Sequence, residues 1–569
     1  MVHRLQDRLT RIHVPPPSTT PGRDGIVLVV VLVLVVMLAL AGFGFLASMS
    51  TEYEATRLHG QTLQGHQSLG SAEEFAMWFC SLPRSRRDAL GGWKNNSALF
   101  RGKTVEHPSA DNTAGVTSDD LSIPEAPSII EAPSRTETSS LFSEDNQEND
   151  PRWRFSMTAI ESDDGEGSTV RFGLHNESAR LHLADVLRWD TETPGYGRTA
   201  LMRIPGITES VADAILDWID SDDQQREFGA ESEFYLQLDR PYAAANRIPG
   251  MLEELLFVRG ITRSSLFGTT GNVHPADQDL ALLNSLNQPS SDSLPTQLSS
   301  GSSDRQSGIS SFLTVYSAEA NVSRSGRNRI FLNQDNLSQL AAQLTDSLPP
   351  ELVRFILLSR IHGVLLPGDG AQPAGGLQPL AAPFDPAAGP AHRIDSPLSL
   401  IDSSIRIQSP TGDLIVSSPL KSDSDEFPGT LARLMDLTTI SPSQHVQGRV
   451  NIQEASPEVL AAVPGISNEL AAQIISLREA EPHLRRDTTW LLTGKLVTLA
   501  EYRKLSDRIT AGGDVFQADI TVFRATGGPV LRRMIIIDGA TVPARRLHWV
   551  NRDDLSTALP ISLLMSHQP

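Results

Sequence analysis

Residues 26–51 carry no charged side chain, and from Ile26 to Leu46 the run is apolar almost throughout, beginning Ile-Val-Leu-Val-Val-Val-Leu-Val-Leu. About 20 apolar residues suffice to cross a bilayer as a helix, so the run predicts one membrane-spanning helix with some tilt. It is too long for the apolar region of an ordinary signal peptide, and no small-x-small cleavage site follows it. The preceding segment is polar, contains Arg4, Arg8, Arg11 and Arg23, and ends in Gly25. By the positive-inside rule that segment is cytoplasmic and everything after Thr51 is exported. In a bacterium this makes a single-pass inner-membrane protein with its bulk in the periplasm.

A polar leader ending in glycine before a long apolar helix resembles a prepilin-type leader. The resemblance implies that a prepilin peptidase cuts between Gly25 and Ile26 and leaves the helix on the mature chain. It also makes Val30 notable. Pilins and pseudopilins usually carry glutamate at this fifth mature position, where the carboxylate meets the free amine of a neighbouring subunit. A carboxylate in hydrocarbon costs several kcal/mol unless paired. A subunit lacking it suits the one place with no neighbour beyond, the tip of a filament.

Composition narrows the function. With 569 residues the chain is long enough for several domains, and its net charge of -20 argues against a generic nucleic-acid binder. Cys80 is the single cysteine, so no intrachain disulfide framework exists; a small apolar role on a helix is expected for it. The fourteen histidines are scattered, and no Gly-x-Ser-x-Gly, Walker loop, His-Glu-x-x-His or Cys-x-x-Cys occurs. No catalytic residue is assigned, and an enzyme is not expected.

After the span, Leu69, Ala72, Phe75, Ala76 and Phe79 keep helical spacing, with Glu73 and Glu74 expected on the opposite side. Pro83 ends this helix, half in lipid and half packed on a soluble domain. Alternation in Phe155–Ile160 and Thr169–Leu174 predicts a β-hairpin, and Val515–Phe523, Val530–Ile537 and Leu547–Val550 predict further strands. One small sheet is therefore interrupted by a large insertion. The organisation expected is a leader at 1–25, a membrane helix at 26–47, its amphipathic continuation at 48–96 and disordered linkers at 97–152 and 268–310. Strands occupy 153–180 and 513–555; inserted helical segments occupy 181–267, 311–362 and 449–512, with a variable stretch at 363–448.

The insertion shows internal similarity: Arg180-Leu-His-Leu, Arg329-Ile-Phe-Leu and Arg449-Val-Asn-Ile each lead into helical stretches. Ser456 and Ser467 are N-cap candidates around Pro464-Gly465, giving a helix-hairpin-helix unit whose partner lies at Leu201–Glu209. Such units often bind DNA through a Gly-apolar-Gly hairpin. Here the hairpins Gly206-Ile207-Thr208 and Gly465-Ile466-Ser467 lack the second glycine, and Glu209, Asp213 and Glu469 would repel phosphate. A structural role is preferred. The acidic run Asp217, Asp220, Asp222 and Asp223, continuing to Glu231 and Glu233, is the candidate metal site. Its oxygen-only donors suit calcium, although the spacing is not that of an EF-hand, and a solvated acidic loop is the competing reading.

The stretches Ala214–Asp223, Gly229-Ala-Glu, Tyr235-Leu, Pro241-Tyr, Glu253-Glu-Leu, Val258-Arg-Gly, Phe312–Glu319 and Asn451–Pro457 resemble the general secretion pathway protein K family. The polar linkers and residues 350–440 depart from it. The resemblance implies an α+β fold: a pilin-like domain, with its long N-terminal helix on a small antiparallel sheet, and a large inserted, mostly α-helical domain. It implies a minor pseudopilin at the tip of the type II secretion pseudopilus that initiates its assembly. The implied partners are the I- and J-type minor pseudopilins, the major pseudopilin, the inner-membrane secretion platform and the prepilin peptidase. The alternatives are a membrane-tethered DNA receptor and a minor pilin of a type IV pilus.

Overall fold

The computed structural model describes residues 24–104, 152–163, 167–268, 308–366, 377–385, 389–409, 412–481, 486–552 and 561–565. The leader before Asp24 and most of both polar linkers lie outside the described residues. The chain divides into two units, Met1–Gln64 and Gly65–Pro569. Helix α1 spans Asp24–Ser81. In the first unit its large apolar side chains from Val27 to Leu46 are exposed. Among the described residues it is the one helix long and apolar enough to cross a membrane.

The second unit is organised by an antiparallel sheet. Its strands are β1 (Lys103–Thr104), β2 (Trp153–Asp163), β3 (Gly167–Phe172), β4 (His175–Asn176), β5 (Val515–Arg524), β6 (Leu531–Asp538) and β7 (Arg545–Asn551). Their order is β1-β2-β5-β6-β7, with β3 also on β2 and β4 also on β5. Pairing Ile520 with Met157 and Val522 with Phe155 puts alternate apolar residues on one face. That face packs on Leu69, Ala72, Phe75, Ala76 and Phe79 of α1. Each fully buried Leu or Phe contributes about 1.5–3 kcal/mol, so this seam is a principal source of stability. On the opposite face Val515, Met534 and Ile536 pack on Tyr316 and Ala318 of the insertion. The sheet is thus covered on both sides. Cys80 is buried, and burial pushes its thiol up to about 12, which suits packing rather than reactivity.

Several expectations need correction. Glu73 is buried rather than solvated: it binds Arg533 of β6, and Arg546 of β7 at 2.7 Å, and both guanidiniums lie over Trp549. Helical spacing placed it off the core stripe, but two strand arginines neutralise it there. The polar linker begins later than its composition suggested. Asn96 caps the helix Ser97–Phe100, Phe100 is fully buried in the α1 core, and β1 follows. At the second linker Ile309 is buried. The stretch expected to be variable contributes Leu398, Leu400, Ile405, Val416, Phe427 and Leu431 to the core. Beyond the last strand, Leu564 of the helix Ile561–Leu564 is buried against the sheet core.

The insertion leaves after β4 and returns at β5, around a core running from Leu181 to Ile509. Its ends are tied where the Asn176 side chain donates to the Gly513 carbonyl at 3.2 Å. A Cβ on Gly513 would sit 2.3 Å from Ser178 Oγ, so only glycine passes this crossing. The three repeated arginines have a structural explanation. Each precedes a two-residue strand that pairs in parallel with a later one: Leu181 with Leu313, Ile330 with Thr438 and Val450 with Ile509. Among the described residues the insertion therefore forms three successive helix-bearing loops, each closed by a short parallel clasp.

Where these clasps meet the end of α1 lies a buried ionic hub. Glu319 is paired with Arg84 at 3.3 Å, with Arg449, and with the Thr510 hydroxyl, which donates at 2.5 Å. Asp514 binds Arg87 and Arg84 and accepts the Ala320 N–H at 2.9 Å. Burial alone would raise the Asp514 carboxyl; Arg84 and Arg87 outweigh it and hold the group down at about 2. Asp514→Asn leaves these guanidiniums under-neutralised and should destabilise the domain by about 3–5 kcal/mol in urea unfolding. Because the folded carboxyl is depressed below its usual 3.8, its contribution is complete above that value and lost as pH falls toward about 2. The wild-type advantage over Asp514→Asn should shrink over that window; an advantage independent of pH down to 2 would contradict the assignment.

Candidate functional site

Gly25, Ile26 and Val30 all lie in the first turns of α1, with the Val30 side chain exposed among other apolar residues. From Val27 to Leu46 the exposed large side chains are all apolar. This is the character of a helix made to be surrounded by lipid or by other apolar helices.

The chemistry-bearing cluster is in the first loop of the insertion. Helix α2 (Leu183–Glu192) leads into α3 (Tyr196–Leu201), and α4 (Glu209–Ile219) follows, its N-terminus capped by Thr208. Spacing suggested one apolar face on α4, but every residue from Val211 to Ile219 is buried, including Asp213 and Asp217. These carboxylates are tolerated because arginines reach them. Asp213 accepts a bidentate pair from Arg198 at 2.6 and 2.7 Å, and also the Phe228 N–H at 3.1 Å. Asp213 is thus a neutralised core residue rather than a surface charge beside the hairpin.

Asp217 and Asp220 follow at helical spacing, and the chain returns through Gly229 to bring Glu231 beside them. One oxygen from each of Asp217, Asp220 and Glu231 lies within 4.8 Å of the others. A Cβ on Gly229 would fall 1.9 Å from Asp217 Oδ2, so the return strand approaches the carboxylate as only glycine can. Arg226 Nη1 donates to Asp217 Oδ1 at 2.9 Å and to Asp220, while Nη2 reaches Asp190 of α2 at 3.1 Å. Glu231 has no such help. It is 3% exposed, and neither carboxylate oxygen has a hydrogen-bond partner; the same holds for Asp220 Oδ1. Burial, with Asp217, Asp220 and Asp223 nearby, pushes the Glu231 carboxyl up to about 8. Burial also raises Asp217 and Asp220, against the pull of Arg226.

Of the six predicted ligands, the fold thus assembles Asp217, Asp220 and Glu231. Asp222 and Asp223 are exposed, accepting from the Gln224 N–H at 2.9 Å and from Ser232 and Asn246 at 3.2 and 3.1 Å, and Glu233 is exposed. Sequence reading missed Arg226 and Asp190, and named Gly229 only within a resembling stretch, without a role at the site. Arg226 had a signal, being the one basic residue between Asp217 and Glu233. Asp190 had none, since only the fold brings α2 alongside.

The two hairpins pack as a pair. Helix α3 lies against α5 (Pro457–Ala462), and Arg203 donates to Asn468, at the start of α6 (Asn468–Ala480), at 3.3 Å. Gly206 and Gly465 have φ of +82° and +96°, turning the chain so that Ile207 and Ile466 enter the core. Glu209 and Glu469 are exposed beside them, an unfavourable setting for phosphate.

Residues 198–267, from α3 through the acidic cluster, match the family model for the first domain of "Type II secretion system (T2SS), protein K". No curated protein sequence matches the chain. Among solved structures, a chain of the GspK-GspI-GspJ complex from the enterotoxigenic Escherichia coli Type 2 Secretion System aligns at 9% identity, over 70% of this chain and 80% of that one. The TM-score is 0.26, too low to equate the two folds. The DNA-receptor and type IV pilus readings are not favoured by the family match. Residues 198–267 are thus similar to the first domain of type II secretion system protein K.

Proposed function

We propose that this chain is a minor pseudopilin that sits at the tip of the type II secretion pseudopilus and starts its assembly together with the I- and J-type minor pseudopilins, ahead of the major pseudopilin. The observation that carries the reading is Val30. The fifth residue after Gly25 is apolar, so the helix has no carboxylate with which to pair the amine of a further subunit. The insertion supports it sterically: its described residues between Glu177 and Asp514, entered after β4 and left at β5, form a large helical core, a bulk unsuited to repetition along a tight helical shaft. Anchoring is by α1 beside the inner-membrane secretion platform, with the arginines of the leader on the cytoplasmic side, where the prepilin peptidase cuts, and the remainder in the periplasm. The mature protein should begin at Ile26. Mass spectrometry of the membrane-extracted chain should find that terminus; an intact Met1, or a cut beyond Leu46, would contradict the reading.

A second proposal concerns calcium at Asp217, Asp220 and Glu231. The supporting observation is the orphaned, buried Glu231 carboxylate beside two others, an oxygen-only donor set that matches a hard cation. Bound there, calcium would neutralise the cluster and join the end of α4 to the returning loop. At a hundred times its dissociation constant it would add about 2.7 kcal/mol to stability. Thermal melts should therefore be higher in calcium than in chelator for the wild type, and Glu231→Gln should remove the difference. Coincident wild-type curves would leave the cluster a purely internal ionic network.

A further inference from the structure

Arg226 occupies the position that a cation bound by Asp217 and Asp220 would need. Its Nη1 donates to Asp217 Oδ1 at 2.9 Å and to Asp220 Oδ2, and its backbone N–H also reaches Asp217, at 3.2 Å. A divalent ion ligated by these two carboxylates would lie close to that guanidinium nitrogen, and two positive centres at such range repel strongly in a partly dry site. The guanidinium has somewhere to go. Its Nη2 already holds Asp190 Oδ2 at 3.1 Å, while Asp190 Oδ1 accepts the N–H groups of Gly195 and Gly197 at 3.0 Å, at the start of α3.

We propose that Arg226 is an internal stand-in for the metal: it neutralises Asp217 and Asp220 when calcium is absent and retreats to Asp190 alone when calcium binds. This rests on the calcium reading above. Arg226 then sets the affinity of the site, weakening it so that the loop responds to calcium instead of holding it permanently. Because Asp190 also fixes the turn into α3, occupancy of the acidic site is linked to the first helix of the hairpin unit.

The test is calcium titration of the full-length, detergent-extracted protein by calorimetry after removal of endogenous metal. Arg226→Gln removes the competitor and should tighten binding about tenfold, within the range usual for coupled sites. Asp190→Asn keeps a carbonyl oxygen for the Gly195 and Gly197 N–H groups but removes the charge that receives Arg226, and should weaken binding several-fold. In the Arg226→Gln background the Asp190→Asn substitution should have little effect, since there is no longer a guanidinium to receive. Equal or weaker binding by Arg226→Gln, or an Asp190→Asn effect that persists in the double variant as a general charge effect would, overturns the role of Arg226 while leaving the calcium site standing. If neither the wild type nor Arg226→Gln binds calcium, the site itself is disproved and this inference with it. Should Arg226→Gln fail to fold, Asp190→Asn alone decides, because unchanged affinity in that variant contradicts the proposal.

Discussion

The fold depends on two buried carboxylates, Glu319 and Asp514, where the end of α1, the clasps of the insertion and the first residue before β5 come together. Arg84 lies between them, Arg87 and Arg449 each take one, and Arg329 stands 3.9 Å from Glu319. A buried ion is costly unless paired, so this constellation tolerates few alternatives in register. Its partners come from stretches far apart in sequence, and each can be satisfied only when the insertion is closed and the sheet is assembled. The hub thereby couples the insertion to the antiparallel sheet, while the apolar seam between α1 and the sheet supplies much of the burial energy.

Much of this architecture was legible in the chain because it rests on simple periodicities. The charge-free run, the helical spacing of Leu69 to Phe79 and the alternation in β2, β3, β5 and β6 are local patterns, and local physics reads them. The caps at Ser456 and Ser467 are equally local, each side chain accepting the backbone N–H three residues on. What stayed hidden was non-local. Glu73 resembled a surface glutamate until Arg533 and Arg546 arrived from strands more than 450 residues away. Phe100 lay in a polar stretch whose composition outweighed one aromatic anchor. The repeated arginines were visible as a repeat, but their function as markers of parallel clasps requires partners that pair over a hundred residues or, in the third loop, about sixty residues later.

The acidic site follows the same division. Residue type alone marked an oxygen-rich cluster, and the fold then selected three of six carboxylates by burial, leaving the others to water and loop hydrogen bonds. The chemistry that distinguishes the site from a plain acidic loop is the contrast between Asp217, which has an arginine, and Glu231, which has none. Periodicity carries no information on such a contrast. At the N-terminus the situation is reversed: Val30 gains its meaning from the leader before it, and no contact within the described residues adds to it.

The central claim is that this chain, proposed as a minor pseudopilin, caps a filament instead of building its shaft, and the most direct test is stoichiometry. Quantifying the chain against the major pseudopilin in isolated filaments should give a small, length-independent number of copies, with one at each assembling end. A ratio near one to one, or copies increasing with filament length, would show that it lies along the shaft and would contradict the account.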